Sequence, residues 1–341
     1  MISCGLLLMA AAWQSNRLKA TRRRGMPEAY AGYTASTPAG INFVIAGLGG
    51  FRGIVSEILW FRAERLQEEN RFLELVQLAD WLTMLDPHAT EAWAYNAWNL
   101  AYNISVMMVR HEDRLRWVRN GITLLRDEGL RFNPKEARLY RELAWIYMNK
   151  VGGNLDEACA TYQKAFAESM RPALKRDCSV DLSDSSRERL KGMKLSADRM
   201  REIEQKFGPV NWSLPESLSL YWSLEGLRYA DSTERLLCRR IAYQSLIILI
   251  FNPDMTPGRE SVDPTALIPA TATFIEETVR EDPTKTLSQV FLRFLAKATA
   301  FSRARGNEEL AQACYTRFAA LFPLGAKVPP MDRVIRDATA F

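Results

Sequence analysis

Two helix-opening phrases with the same internal spacing constrain this chain more than anything else in it. DPHATEAWAYNAWNL begins at Asp86 and NPKEARLYRELAWIY at Asn133. In each, a proline lies six residues before a large aromatic: Pro87 before Trp93, and Pro134 before Tyr140. Proline lacks an N–H and disfavours a helical residue before it, so it ends one helix and leaves the next free to begin. Leu143, Ala144 and Tyr147 follow Tyr140 at offsets of three, four and seven, which is one helical face. Ala158, Tyr162 and Ala165 then mark a second, packed helix. A hairpin of this kind buries its apolar face only by stacking on neighbours, so the spacing predicts an all-α array.

Walking outward from these phrases places the rest. Leu75, Ala79 and Leu82 form a helical stripe before Pro87, and Trp60, Ala63 and Leu66 form its partner, with Glu68-Glu69-Asn70 as the turn. An irregular helix over 112–130 follows the first phrase, and Gly152-Gly153 expands the turn after the second. Residues 168–195 read as a polar loop. A helix then runs from Ser196, its N-cap, to Phe207, with Gly208 as its stop. Trp222, Gly226 and Tyr229 resume the pattern, a partner helix spans 234–250, and further helices fall at about 265–281 and 284–304. Gly306, Ala311, Tyr315, Phe318 and Pro323 close the last hairpin. The expected organisation is an apolar segment with a basic flank (1–24), a linker (25–40), repeats (41–167), an irregular insertion with a helix (168–210), further repeat-like helices (211–323) and a capping tail (324–341).

The net charge of +5 is concentrated at one end. Arg17, Lys19, Arg22, Arg23 and Arg24 face only Glu28 within the first forty residues, and the remainder is nearly neutral. That distribution gives a nucleic-acid-binding body no support. Residues 2–13 are almost uninterruptedly apolar, which is shorter than the roughly 20 residues a spanning helix needs. They match a signal-peptide core in length but lack a basic residue before it, and they equally fit the end of a longer anchor. Membrane attachment through this end, with the basic cluster beside the lipid, is the expectation. Cys4 is followed by more apolar sequence, which argues against lipidation. The stretch 41–61 is long enough to span, yet it carries Arg52, Glu57 and several glycines and reads as the broken start of the first hairpin. GLGGFRG (47–53) has no G-K-[ST] ending and no preceding strand, so a phosphate-binding loop is not expected.

With the spacing in view, residues 55–323 resemble the tetratricopeptide (TPR) repeat superfamily, most closely at 133–167. The expanded turns and the 168–195 insertion depart from regular arrays. LGGFRG (48–53), LWFRA (59–63) and AWNLAYNISV (97–106) also resemble a group of bacterial membrane-anchored TPR proteins, which implies attachment to the bacterial inner membrane. Neither resemblance implies a catalytic activity or a cofactor. The superfamily's groove-facing positions lie one, five, eight and nine residues after the leading aromatic. Transferred here, they are Ala94, Trp98, Ala101 and Tyr102, then Arg141, Trp145, Met148 and Asn149. Tryptophan thus occupies the same position twice, and the alternatives are a peptide groove or packing against a neighbouring helix. Asn96, Asn99 and Asn103 share a helix; Asn96 falls where regular repeats are apolar, so it is expected to be buried and hydrogen-bonded, to preceding elements or to a bound segment.

Convergent reactive groups are scarce. His88 and His111 fall in turns, and no H-E-x-x-H, G-x-S-x-G or Cys/His constellation is present. Five scattered cysteines show no C-x-x-C spacing; Cys159 and Cys314 read as packed thiols. The functional expectation is a membrane-associated, non-catalytic scaffold without metal, cofactor, nucleic-acid partner or small-molecule substrate. It holds a protein or peptide partner around Trp98, Tyr102, Arg141, Trp145 and Asn149. A soluble subunit of an oligomeric assembly is the first alternative, and a helical-array enzyme or lipid-handling protein the second.

Overall fold

The computed structural model describes residues 52–252, 261–322 and 327–339. Among the described residues every regular element is helical, and the only β-type pairing is an isolated bridge between Leu174 and Val180. The all-α expectation holds. No described helix is long and apolar enough to cross a membrane. The N-terminal segment, its basic cluster and the linker lie outside the described residues, as does Pro323.

The proline-to-aromatic spacing has a direct cause. The helix after Pro87 starts at Thr90 and the one after Pro134 at Ala137, which puts Trp93 and Tyr140 at the second turn. Helical side chains lean toward the N-terminus, so each ring lies back over the first turn. Its polar edge donates to the proline carbonyl, which lies outside the helix: Trp93 Nε1 to Pro87 O and Tyr140 Oη to Pro134 O, both 2.9 Å. Asn133 Nδ2 donates to the same Pro87 carbonyl at 2.9 Å, and its Oδ1 lies 3.3 Å from His88 Nδ1, joining one hairpin start to the next.

The N-terminal half is built from three hairpins. Helices α1 (Arg52–Glu68) and α2 (Phe72–Leu85) close over Ala63, Leu66, Leu75 and Leu78, and Asn70 takes φ +56° in their turn. Helix α3 runs as α-helix over Thr90–Trp98, as a π-turn over Asn99–Ile104, and ends with Ser105–Met107. Helix α4 combines His111–Thr123, a π-turn at Leu124–Gly129, and Leu130–Phe132. Helix α5 covers Ala137–Trp145 and a π-turn over Ile146–Val151, and α6 is Cys159–Met170. The π-turns of α3 and α5 begin immediately after Trp98 and Trp145. Gly121 brings α4 onto α3 so closely that a Cβ there would lie 2.7 Å from the Ala97 carbonyl oxygen.

The next hairpin of the repeat pattern is α9 (Pro215–Gly226) with α10 (Ser232–Phe251), and it packs directly on α5. Tyr140 stacks on Tyr229 at 5.7 Å and lies 6.1 Å from Trp222, while a Cβ at Gly226 would approach Tyr140 Cβ to 3.0 Å. Residues 168–210 are therefore looped out between neighbours in space. The segment expected to be loop up to 195 contains a helix, α7 (Asp184–Gly192), because Ser183 caps Ser186 N and Asp184 and Lys191 complement its two ends. Helix α8 (Ala197–Phe207) starts on the Ser196 cap and stops at Gly208, φ +109°, as its sequence indicates. Buried Glu204 fastens the insertion, accepting from Trp212 Nε1 at 2.9 Å and from Val180 N at 3.1 Å.

Helices α11 (Ile268–Glu281), α12 (Lys285–Ala304) and α13 (Glu308–Ala319) complete the C-terminal half. Arg239, buried on α10, donates to Thr278 Oγ1 and sits 4.5 Å over the Phe274 ring, binding α10 to α11. The tail forms α14 (Met331–Thr339), which lies on α12 with Val334 buried and Asp332 paired to Arg303.

Two substitutions separate the hydrogen bond from the packing at the leading aromatics. Tyr140→Phe removes only the bond to Pro134 and is expected to cost about 1 kcal/mol. Trp93→Ala empties a fully buried site and is expected to cost about 3–5 kcal/mol. Urea unfolding of both variants measures the difference; equal costs would contradict the assignment of Trp93 to the core.

Candidate functional site

Helices α1, α3 and α5, the first helices of successive hairpins, line a shallow groove of about 570 Å³. Trp60 comes from α1; Glu91, Ala94, Tyr95 and Trp98 from α3; Arg138 and Glu142 from α5. Residues 91, 94/95 and 98 succeed one another at three or four positions, so a single face of α3 forms the floor. Tyr95 meets Trp60 edge to face at 5.7 Å and hydrogen-bonds to Gln67 through its hydroxyl. Trp98 stacks on Tyr102 at 5.3 Å and still presents 39% of its surface to solvent. A tryptophan left that open keeps part of its ring available to a bound segment.

Residues 47 apart meet across the groove, because the two hairpins stack with equivalent positions in register. Glu91 Oε1 accepts from Arg138 Nη1 at 2.9 Å, and Tyr102 Oη lies 3.3 Å from Asn149 Oδ1. The Arg138 Nε is buried and has no hydrogen-bond partner among the described residues.

The structure brings together only part of the set expected from sequence. Ala94 and Trp98 line the groove, and Tyr102 and Asn149 join each other beside it. Trp145 is 36% exposed but is not among the lining residues. Ala101 and Met148 are buried. A π-turn holds one more residue than an α-turn and rotates the residues beyond it by about 100°. Positions five residues after the leading aromatic precede the π-turn and stay exposed; those at eight, Ala101 and Met148, lie within it and turn inward, whereas those at nine, Tyr102 and Asn149, stay half-exposed. Arg141 is also redirected. Its guanidinium forks onto Glu234 of α10 at 2.7 and 3.4 Å and contacts Glu142 at 2.9 Å, so it ties hairpins together and is not held out to a partner carboxylate.

Trp60, Tyr95, Arg138 and Glu142 were not among the expected groove residues. The 47-residue offset itself carries the signal: Glu91 and Arg138 are equivalent and opposite in charge, and Tyr95 and Glu142 are equivalent.

The asparagines form an internal network. Asn96 Nδ2 donates to Asp80 Oδ1 at 3.2 Å, Asn99 Nδ2 to the Phe72 carbonyl at 3.3 Å, and Asn103 Nδ2 to Asn99 Oδ1 at 2.9 Å. They tie α3 to α2, as expected of contacts to preceding elements; Asn96 Oδ1 is buried and lacks a partner among the described residues.

Beneath Tyr102, the Lys150 ammonium lies 5.5 Å from the ring and pairs with Asp156 at 2.5 Å. Asp156 also accepts from Arg114 at 3.1 Å, Tyr162 Oη at 3.0 Å and the Ala158 N–H at 2.9 Å. Burial alone would raise this carboxyl's pKa, but the bonds from Lys150, Ala158 and Tyr162 outweigh it and hold it at about 2. Its stabilisation is complete above the unfolded value of about 4 and is lost as pH falls toward 2. Asp156→Asn is expected to flatten the stability-versus-pH curve in that window, measured by urea unfolding between pH 2 and 5; an unchanged slope would contradict the network's role.

His88 and His111 are exposed, and no group of three or more His, Cys, Asp or Glu positioned for a metal occurs among the described residues. Cys314 is buried and its thiol is pushed up to about 11 by burial; Cys159 is only half-buried, short of the packed thiol expected. Compared with protein-family models, curated proteins and solved structures, the chain matches none.

Proposed function

We propose that this chain is a TPR-like helical solenoid that acts as a non-catalytic interaction scaffold, holding an extended segment of a partner protein in the α1/α3/α5 groove. The observation that carries the reading is the open aromatic surface of Trp60, Tyr95 and Trp98 beside the Glu91–Arg138 pair. Aromatic side chains supply large contact area at low conformational cost, and a charged pair at the rim sets orientation. The occupant with matching chemistry is a peptide carrying apolar or aromatic anchors flanked by charge. The test is selection of binding peptides on the purified protein, followed by titration against variants. Trp98→Ala and Trp60→Ala are expected to stay folded and to weaken selected peptides at least tenfold. Peptides indifferent to both changes would place binding elsewhere and overturn the reading.

Membrane association through the N-terminus forms part of the same proposal. The apolar run at 2–13 with Arg17, Lys19, Arg22, Arg23 and Arg24 supports it, as does an exposed apolar stripe at the start of α1: Ile54, Ile58 and Phe61, the last 68% exposed. Apolar side chains at offsets of four and three share one helical face, and an uncovered face of this kind marks an interaction or lipid-facing surface. The full chain is expected to sediment with membranes and a version lacking residues 1–40 to remain in the supernatant. If both stay in the supernatant, the soluble-subunit alternative replaces it.

A further inference from the structure

A second cavity, of about 630 Å³, opens on residues that the groove does not use. It lies between the end of α5, helix α6, the first turn of α9 and the last turn of α10, and Glu216 stands in its wall. Glu216 is only 7% exposed, yet among the described residues its carboxylate has no ion pair, and its hydrogen bond is to its own backbone N–H. An unpaired carboxylate at that depth costs several kcal/mol unless a counter-charge or water reaches it.

The surrounding backbone is shaped around this group. A Cβ at Gly152 would lie 2.2 Å from Glu216 Oε1, so a side chain there would push the carboxylate out of its present position. A Cβ at Gly153 would meet the Asn149 carbonyl at 2.2 Å. The two-glycine expansion of this turn, irregular as a repeat element, is thus what admits a carboxylate from the next hairpin. Gln163 Nε2 holds the turn by donating to the Gly152 carbonyl at 2.8 Å. The negative end of the α10 dipole lies at the cavity at Asn252, the positive end of α9 lies at Glu216 itself, and Lys164 on α6, the only basic lining residue among the described residues, is exposed and leaves the carboxylate without a cationic side chain. Burial raises the Glu216 carboxyl's pKa, and an adjacent cation would lower it again.

We propose that this cavity is a binding site for an alkylammonium or guanidinium group, with Glu216 as its counter-ion. The group can belong to a free amine or to a lysine or arginine side chain of a partner. Either presents the compact N–H donors that a buried carboxylate lacks, and the volume accommodates one such group with its alkyl stem.

Isothermal titration of the full chain at low salt tests this with putrescine and agmatine as free amines, and with end-blocked Gly-Lys-Gly and Gly-Arg-Gly peptides as side-chain mimics. Saturable binding is expected for at least one probe. Binding of the free amines places the source among small molecules, whereas binding of the peptides alone places it on a partner. Glu216→Gln preserves shape and removes the charge, and is expected to weaken binding at least tenfold while the thermal midpoint stays equal or rises. Gly152→Ala, which displaces the carboxylate, is expected to weaken it similarly. Trp98→Ala is expected to leave it unchanged, which keeps this site's result separate from that of the groove. Absence of saturable heat for all four probes, or equal affinity in Glu216→Gln, would overturn the proposal and assign Glu216 to hydration or to closure by Lys164.

Discussion

The bond from a leading aromatic back to the carbonyl of the proline six residues earlier is the contact on which the N-terminal half depends. It satisfies an acceptor at a point where proline has already broken the backbone ladder, and it anchors a ring that the core then buries fully at Trp93 and in part at Tyr140. Because Trp93 and Tyr140 do this in the same way, α3 and α5 start at equivalent places and run in register. Register is what lets Glu91 meet Arg138 and Tyr102 meet Asn149 across successive hairpins. A groove with an ordered charge pair and a row of aromatics results from that alignment.

Between hairpins, small residues set how closely backbones approach, and buried charges set which surfaces meet. Gly226 permits a close crossing of α9 on α5, as Gly121 does within the α3/α4 hairpin, and Gly152 admits a carboxylate. Arg141–Glu234, Arg239 with Thr278 and Glu277, and Glu204 with the Val180 N–H each join segments well separated in the chain. Such pairs contribute less net stability than apolar burial, but leaving one partner alone in the interior is costly, which penalises wrong arrangements. The insertion at 168–210 is accommodated on this basis: its neighbours α5 and α9 close over the gap through Tyr140, Trp222 and Tyr229, while Glu204 and Phe207 fasten it outside.

Helix positions were largely legible in the sequence, since prolines, caps and apolar spacing act locally. Ser196 and Gly208 bounded α8 as read, and the Trp222–Gly226–Tyr229 spacing marked the hairpin that packs on α5. Helix α7 was missed because its polar composition lacks an apolar stripe strong enough to show. The candidate site was legible only in part. Trp98 was found because it precedes the π-turn; Ala101 and Met148 were misplaced because an i→i+5 turn leaves no periodic trace in the residues. Arg141 was misread because its partner, Glu234, lies 93 residues away.

By itself, the sequence determined an all-α chain of hairpins, where most helices begin and end, and which aromatics lead them. Those properties arise from interactions within a few residues: a missing N–H, a capping hydroxyl, a ring leaning back one turn. Only the tertiary structure decided which exposed side chains share a groove, which charges are consumed internally, and that Glu216 is buried without a counter-charge among the described residues. These depend on the rotation of one helix against another, and that rotation is set jointly by distant residues through close packing and the cost of unpaired charge.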